Sequence, residues 1–227
     1  MSKITFEEIL KKLTCSGNDC FEDDYYVNHN IPNMHYSNLA IMQNHNILFP
    51  FFRLIRRIKP SRVIEIGTAH GGLTLMIRDL MDLNGLQSSD LVTYDVVNPT
   101  GLIDEIEKSN LNIKVEHKNV FDNDYNLIDD TLSEIIKSEG ITIILCDGGN
   151  KKEEFKTLSG YMKSGDIIMA HDYAYDEKYY SEKIHNKIWY WHEIKNSDIL
   201  ESCEKNNLVD YMEQDFSNVV WCCKIKK

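Results

Sequence analysis

Asp147, which closes ILCDGG, and His171 with Asp172, in IIMAHDY, are residue types that could do chemistry together although they lie far apart in the chain. Two carboxylates and an imidazole open to water suit a divalent ion in octahedral coordination. Such an ion lowers the pKa of a bound hydroxyl, making its oxygen a nucleophile, and it orients the molecule that carries it. Without an ion, His171 reads as a satisfied buried imidazole or a general base. One condition attaches: consecutive residues on a strand face opposite sides, so His171 and Asp172 can share a ligand only if the strand has already ended.

A second constellation lies in RVIEIGTAHGGLT, residues 62–74, where an apolar run breaks at a glycine-rich turn and resumes as an amphipathic helix. The turn, Gly67-Thr68-Ala69-His70-Gly71-Gly72, follows GxAxGG and lacks the second glycine of the dinucleotide fingerprint. Glu65 falls close to where a pyrophosphate would lie, and a carboxylate there repels phosphate and attracts a cation. S-adenosylmethionine, which has no phosphate and carries a sulfonium and an ammonium, fits that turn better than a dinucleotide. The cofactor candidates are Glu65, Gly67, Thr68, Ala69, Gly72 and Asp147, with His70 either touching the cofactor carboxylate or facing solvent. Asp95 ends the following strand, where it can accept from both ribose hydroxyls. Asp122 could accept from an adenine amino group, with Val120 and Phe121 as an apolar wall, or it could cap a turn.

The elements that must position these groups alternate. Candidate strands are 62–66, 91–95, 113–117, 141–146 and 166–170, and candidate helices 72–83, 101–109, 129–138 and 153–163. The strands are continuous apolar runs, so a parallel sheet covered on both faces is expected. Such sheets bind ligands beyond the carboxyl ends of their strands, where the strand order reverses. A helix at 197–206 and a terminal antiparallel hairpin, LVDYMEQ and NVVWCCKI joined by Asp215 to Ser217, complete the pattern. Thr5 and Glu8 form a capping box for a short first helix. The turn-rich stretch 15–36 reads as a loop or lid, and 37–59 as helix ending before Pro60. The division is an N-terminal helical extension or lid, 1–59, and a cofactor-binding domain, 60–227.

Composition narrows the partners. The 227 residues carry a net charge of -11, which opposes nucleic acid. No apolar run approaches the ~18 residues that cross a bilayer. MSKITFEEILKKL has charges inside its apolar pattern and lacks the apolar core of a secretory signal, so a cytoplasmic location is expected. Six cysteines show no metal-ligand spacing and read as reduced thiols; adjacent Cys222 and Cys223 should face opposite sides of a strand.

EIGTAHGG, VTYDV, NVFD and ILCDGG, in this order over residues 60–175, resemble the motifs of class I S-adenosylmethionine-dependent methyltransferases. The resemblance implies an α/β, doubly wound, Rossmann-like seven-stranded sheet. The acidic cluster resembles that of metal-dependent O-methyltransferases, and more closely the cephalosporin hydroxylase family, which includes rhamnosyl O-methyltransferases. MQNHNILFPFFRLIRRIKPSRVIEIGTAHGG is similar to that family's Gln-containing helix, apolar helix, Pro turn and EIGT with GG. It implies O-methylation of a small polar acceptor such as a sugar, with metal ligands Asp147, His171 and Asp172. His171 stands where the family usually has a carboxylate; imidazole suits manganese, iron or zinc better than magnesium. The family places a general-base lysine near Lys151 and Lys152, its pKa depressed by a neighbouring cation; alone, the two read as a solvated charge pair. Asp147, Lys151, Lys152 and His171 are thus the catalytic candidates. Tyr173, Tyr175 and WYWHEI line an acceptor pocket or belong to the core, and His29, His35 and His45 could close over the site. Relatives of this kind are often homo-oligomers. A metal-dependent lyase or hydroxylase-like enzyme on the same fold, or a non-catalytic cofactor-binding subunit, are the alternatives.

Overall fold

The computed structural model describes residues 4–16 and 33–227. His29, Cys20 and most of the expected lid lie outside the described residues. In chain order the elements are α1 (Phe6–Lys12), β1 (Leu13–Ser16), β2 (Asn33–Tyr36), β3 (Leu39–Ala40), α2 (Leu48–Ile58), β4 (Arg62–Ile66), α3 (Gly72–Leu83), β5 (Asp90–Asp95) and α4 (Thr100–Ser109). There follow β6 (Lys114–His117), α5 (Asp130–Lys137), β7 (Thr142–Cys146), α6 (Lys151–Ser159), β8 (Ile167–Ala170), β9 (Tyr173–Ala174) and α7 (Glu177–Tyr179). The chain ends with β10 (Ile194–Lys195), α8 (Asn196–Asn206), β11 (Leu208–Asp210), α9 (Glu213–Ser217) and β12 (Cys222–Lys226).

Seven strands form the main sheet in the order β11-β12-β8-β7-β4-β5-β6. β8, β7, β4, β5 and β6 run parallel, and β12 is antiparallel to both β8 and β11. The chain builds outward from β4 to β6, then returns to β7 on the other side of β4. That reversal opens a crevice between the β4 and β7 ends. Gly67 sits there at φ +95, and a Cβ on it would stand 2.2 Å from the Asp147 carbonyl oxygen. The glycine lets the backbones after β4 and β7 touch.

Side chains alternate across the sheet as strand geometry requires. Val63, Ile143, Leu145, Ile167 and Met169 join one apolar cluster; Ile64, Ile66, Ile144, Cys146, Ile168 and Ala170 join the other. Cys223 and Cys222 divide the same way, which bears out the reading of their opposed faces. No helix of the described residues is long and apolar enough to cross a membrane.

The N-terminal region departs from the helical reading. The Thr5 hydroxyl accepts from the Glu8 amide and the Glu8 carboxylate from the Thr5 amide, so α1 carries its expected capping box. Beyond it, β1, β2 and β3 form a small antiparallel sheet. Helix occupies only 48–58 of the 37–59 stretch, because Ser37 and Asn38 take positive φ in the tight turn between β2 and β3. The apolar spacing could not report that turn. The connection between β11 and β12 likewise contains α9 instead of a tight turn, although the two strands pair as expected.

The small sheet is fastened to α3 through Asp79, whose Oδ2 accepts from Lys12 Nζ at 2.7 Å and Tyr36 Oη at 2.5 Å. Its last strand runs against the glycine turn: a Cβ on Gly72 would lie 2.4 Å from the Ala40 carbonyl oxygen. Gly72→Ala is expected to lower stability by about 1–3 kcal/mol by forcing two backbones apart. Urea unfolding measures this, and an unchanged midpoint would show that residues 39–41 yield without cost.

Candidate active site

β7 and β8 are neighbours with Cys146 opposite Ala170, so Asp147 and His171 leave the sheet side by side. The His171 amide donates to the Cys146 carbonyl at 3.1 Å, extending the ladder by one bond. β8 then stops, because Asp172 takes φ +54. Asp is one of the few residue types that enters the left-handed region readily. The change of hand releases Asp172 from strand alternation, and one ligand atom from each of Asp147, His171 and Asp172 lies within 4.8 Å of the others. The condition set by strand geometry is met.

Lys151 completes the cluster from the start of α6. Its ammonium is 3.2 Å from Asp172 Oδ2, 3.9 Å from Asp147 Oδ1 and 2.8 Å from Glu193 Oε2, and it donates to the Gly148 carbonyl at 3.2 Å. Burial opposes its charge, but the carboxylates of Asp172, Asp147 and Glu193 outweigh burial and hold the ammonium above its ordinary pKa. In this state Lys151 is a counter-ion, and it becomes a base only where those carboxylates are taken up by another cation. Its helical neighbour Lys152 reaches Asp198 at 3.4 Å and lies outside the cavities described below, so the structure does not bring it to the cluster.

His171 Nδ1 is 3.1 Å from Asp147 Oδ1 and 3.5 Å from Asp172 Oδ1, and the ring lies against Trp221 and Trp189. Burial pulls its pKa down, and the charges of Asp172 and Asp147 outweigh that pull and raise it. For Asp172, burial favours the neutral acid, yet His171 and Lys151 hold it below the usual carboxylate range. Trp189 Nε1 donates to Asp172 Oδ1 at 2.7 Å. Gln43 Nε2 donates to Asp147 Oδ2 at 2.8 Å, and Gln43 Oε1 accepts from Trp221 Nε1 at 2.7 Å.

Two cavities meet here. One, of about 510 Å³, is lined by Gln43, Glu65, Gly72, Asp147, Lys151, His171, Asp172 and the Trp191–Glu193 stretch. The other, of about 550 Å³, lies over the β5 and β6 ends, with Asp95, Val120, Phe121 and Asp122 in its wall. Gly67, Ala69 and Asp147 line both, and Thr68 lines the first.

Asp95 Oδ2 accepts from the Ala69 amide and Oδ1 from the Val97 amide, each at 2.8 Å. The carboxylate ties the glycine turn to β5 and keeps lone pairs for a ligand hydroxyl. Asp122 Oδ1 accepts from the Asp124 and Asn126 amides, which fits the turn-cap reading of this residue; the Asn126 side chain, donating to Oδ2 at 3.0 Å, and then these amides hold its pKa low. His70 is exposed and lies outside both cavities, as do His35 and His45. Tyr173 is buried with its hydroxyl toward Asn196, and Tyr175 is exposed.

Glu65 is the most confined group. Its Oε2 accepts from Thr74 at 2.5 Å and Thr93 at 2.6 Å, while Oε1 is buried with no hydrogen-bond partner among the described residues. Burial, opposed by those hydroxyls and reinforced by Asp147 and Asp95, pushes its carboxyl up to about 8. Trp221 has no assigned part in the sequence motifs, Gln43 enters them only through the Gln-containing helix, and Trp189 and Glu193 only within WYWHEI as pocket or core. Their signal was present in MQNHN, WYWHEI and VVWCC, where a buried polar or aromatic residue reads equally as packing.

A family model described as Rhamnosyl O-methyltransferase/CmcI matches residues 28–190. No curated protein matches by sequence comparison. Among solved structures, a CmcI apo-structure superposes with TM-score 0.57 at 13% identity, covering 100% of this chain and 86% of that one. A CmcI structure described with Mg-SAM gives 0.54 at 11% identity, covering 100% and 87%. An O-methyltransferase family protein from Burkholderia thailandensis gives 0.54 at 9% identity over 80% of this chain, which spans 55% of that protein.

The Glu65 environment predicts a pH dependence. A carboxyl held at about 8, against an ordinary 4.5, favours folding while neutral, and that contribution is lost as pH rises from the lower value through the higher. Glu65→Gln, which keeps an acceptor for both threonines and does not titrate, is therefore expected to gain thermal stability over the parent across that window. A melting-temperature difference that stays flat with pH would show that Glu65 ionises freely.

Proposed function

This chain belongs to the Rhamnosyl O-methyltransferase/CmcI family, and from that premise we propose that it transfers the methyl group of S-adenosylmethionine to a hydroxyl oxygen of a small polar acceptor, a sugar or sugar-like metabolite. The observation that carries this reading is the meeting of two cavities at Gly67, Ala69 and Asp147. One has the strand-end carboxylate and apolar wall that an adenosine needs, and the other has the acid and base groups. The reaction is an in-line displacement: the acceptor oxygen bonds the methyl carbon, the carbon–sulfur bond breaks to leave a neutral thioether, and the hydroxyl proton passes to a base.

Residues of this chain divide the work. Asp95 accepts from the ribose hydroxyls, and Val120 and Phe121 cover the adenine. Glu65, which lines the first cavity and has one oxygen without a partner among the described residues, takes the cofactor ammonium, whose charge offsets the cost of ionising it. Trp191, His192 and Glu193 form the outer wall on the acceptor side. A flat ring beside polar groups suits a polyol, which offers C–H faces and hydroxyl edges.

The donor set fits a divalent cation, with the ligand atoms of Asp147, His171 and Asp172 mutually close and well buried. Its imidazole favours manganese, iron or zinc over magnesium. A bound cation would lower the pKa of the acceptor hydroxyl. With Asp147 and Asp172 engaged as ligands, Lys151 would keep only Glu193 as a carboxylate partner, which would lower its pKa and favour Nζ as the group that receives the proton of the acceptor hydroxyl.

Calorimetry of chelator-treated protein with S-adenosylhomocysteine, with and without Mn²⁺, tests the reading. Cofactor-product binding is expected, together with a separate Mn²⁺ heat that Asp147→Ala abolishes. Absence of cofactor binding would overturn the reading, and a metal heat that persists in Asp147→Ala would remove that residue from the ligand set. Asp95→Ala is expected to weaken cofactor binding by about 1.5–3 kcal/mol; an unchanged affinity would exclude it from the site.

A further inference from the structure

We propose that Gln43 is a positioning residue, whose amide fixes the orientation of the Asp147 carboxylate and, through it, of His171. The argument begins at the other end of the chain. Trp221 is almost wholly buried, and its indole N–H can only donate. The group it meets, 2.7 Å away, is the Gln43 side chain, so the Gln43 oxygen must face Trp221. The amide nitrogen is then turned the other way, and it meets Asp147 Oδ2 at 2.8 Å. The flip of this amide, ambiguous in most settings, is decided here by the donor-only indole.

With Oδ2 engaged, Asp147 presents Oδ1 to His171 Nδ1 at 3.1 Å and to Lys151 at 3.9 Å. The circuit closes on itself, since the His171 ring packs on the Trp221 ring with centroids 5.0 Å apart and planes 30° apart. Four side chains from the segment before α2, the end of β7, the end of β8 and the start of β12 thus fix one another. Gln43 is 3% exposed, with both ends of its amide partnered, so it has no competing solvent to rotate toward. It binds the Asp147 oxygen other than the one nearest Lys151, and it follows closely on the residues that Gly72 admits against the glycine turn. The N-terminal segment is therefore part of the active centre.

The test uses the full-length protein labelled with ¹⁵N-histidine and free of metal, the His171 signal being assigned by its loss in His171→Gln. In the parent protein the His171 Nδ1 is expected to carry a slowly exchanging proton. Gln43→Met keeps a side chain of similar length with a weak acceptor for Trp221 but offers the Asp147 carboxylate no hydrogen, and Gln43→Leu removes both contacts. Both variants should lose that proton signal, and both should bind Mn²⁺ about tenfold more weakly or worse, as disturbed supports of metal ligands do. A His171 signal unchanged in both variants, whatever their unfolding midpoints, overturns the proposal, because packing alone would then be the role of Gln43. Should Gln43→Leu fail to fold, Gln43→Met decides. The Mn²⁺ arm rests on the metal reading above; parent protein that binds no Mn²⁺ counts against that reading, and the His171 signal then decides the Gln43 proposal alone.

Discussion

Two neighbouring carboxylates held out of water, Asp147 and Asp172, are the constraint around which the carboxyl edge of the sheet is arranged. Like charges about 4 Å apart repel by roughly 4 kcal/mol at the effective dielectric of a protein. The fold meets that repulsion with Lys151 and His171, both themselves buried, and with donors from Gln43 and Trp189. Each of these comes from a different element. The stability of the cluster therefore depends on the sheet order, on the start of α6 and on the segments covering the cavity all being in place. Removing one partner leaves an uncompensated buried charge, which costs more than the pair contributes.

The same edge separates two kinds of environment within a few residues. Asp95 and Asp122 lie nearer solvent and are fastened by backbone amides, and the bonds that Asp122 accepts from Asn126 and Asp124 hold its carboxyl below the usual range. Glu65, by contrast, is sunk in the core face of β4 and is proton-bearing up to about 8. Asp122 and Glu65 thus carry different charges at neutral pH, the one bonded by amides near solvent and the other buried with no cation beside it among the described residues. A cofactor with one cationic end and one polar, uncharged end matches that gradient.

The sheet was legible in the sequence because its strands are buried on both faces, and continuous apolar runs such as VIEI, TIILC and IIMA announce that burial directly. The acidic strand ends were legible for a related reason, since polar residues stand out where such runs stop. What escaped was local backbone geometry and contact between distant segments. The left-handed Asp172 looks like any Asp in sequence, yet it decides whether His171 and Asp172 can work together. The turn at Ser37 and Asn38 broke a stretch whose apolar spacing suited a helix. Lys151 and Lys152 are adjacent and chemically identical; only the phase of α6 sends one into the cavity and the other to Asp198. Gln43 could not be assigned a partner, because that partner's position depends on the entire fold between them.

The bond between Gln43 and Trp221 spans a separation of 178 residues. Asp147 and His171 lie between these two positions, on strands that need their neighbours to be paired. Loop-closure entropy makes a contact of such range among the last to form and gives little return until the intervening sheet exists. A nascent chain emerging from the ribosome can assemble β4, β5 and the glycine turn early, but β12 follows every other strand of the sheet and must enter between β8 and β11. The cavity over the β5 and β6 ends can therefore take shape before the acid and base groups are locked. Chemical competence then waits on β12, and a copy of the chain cut short before that strand lacks it.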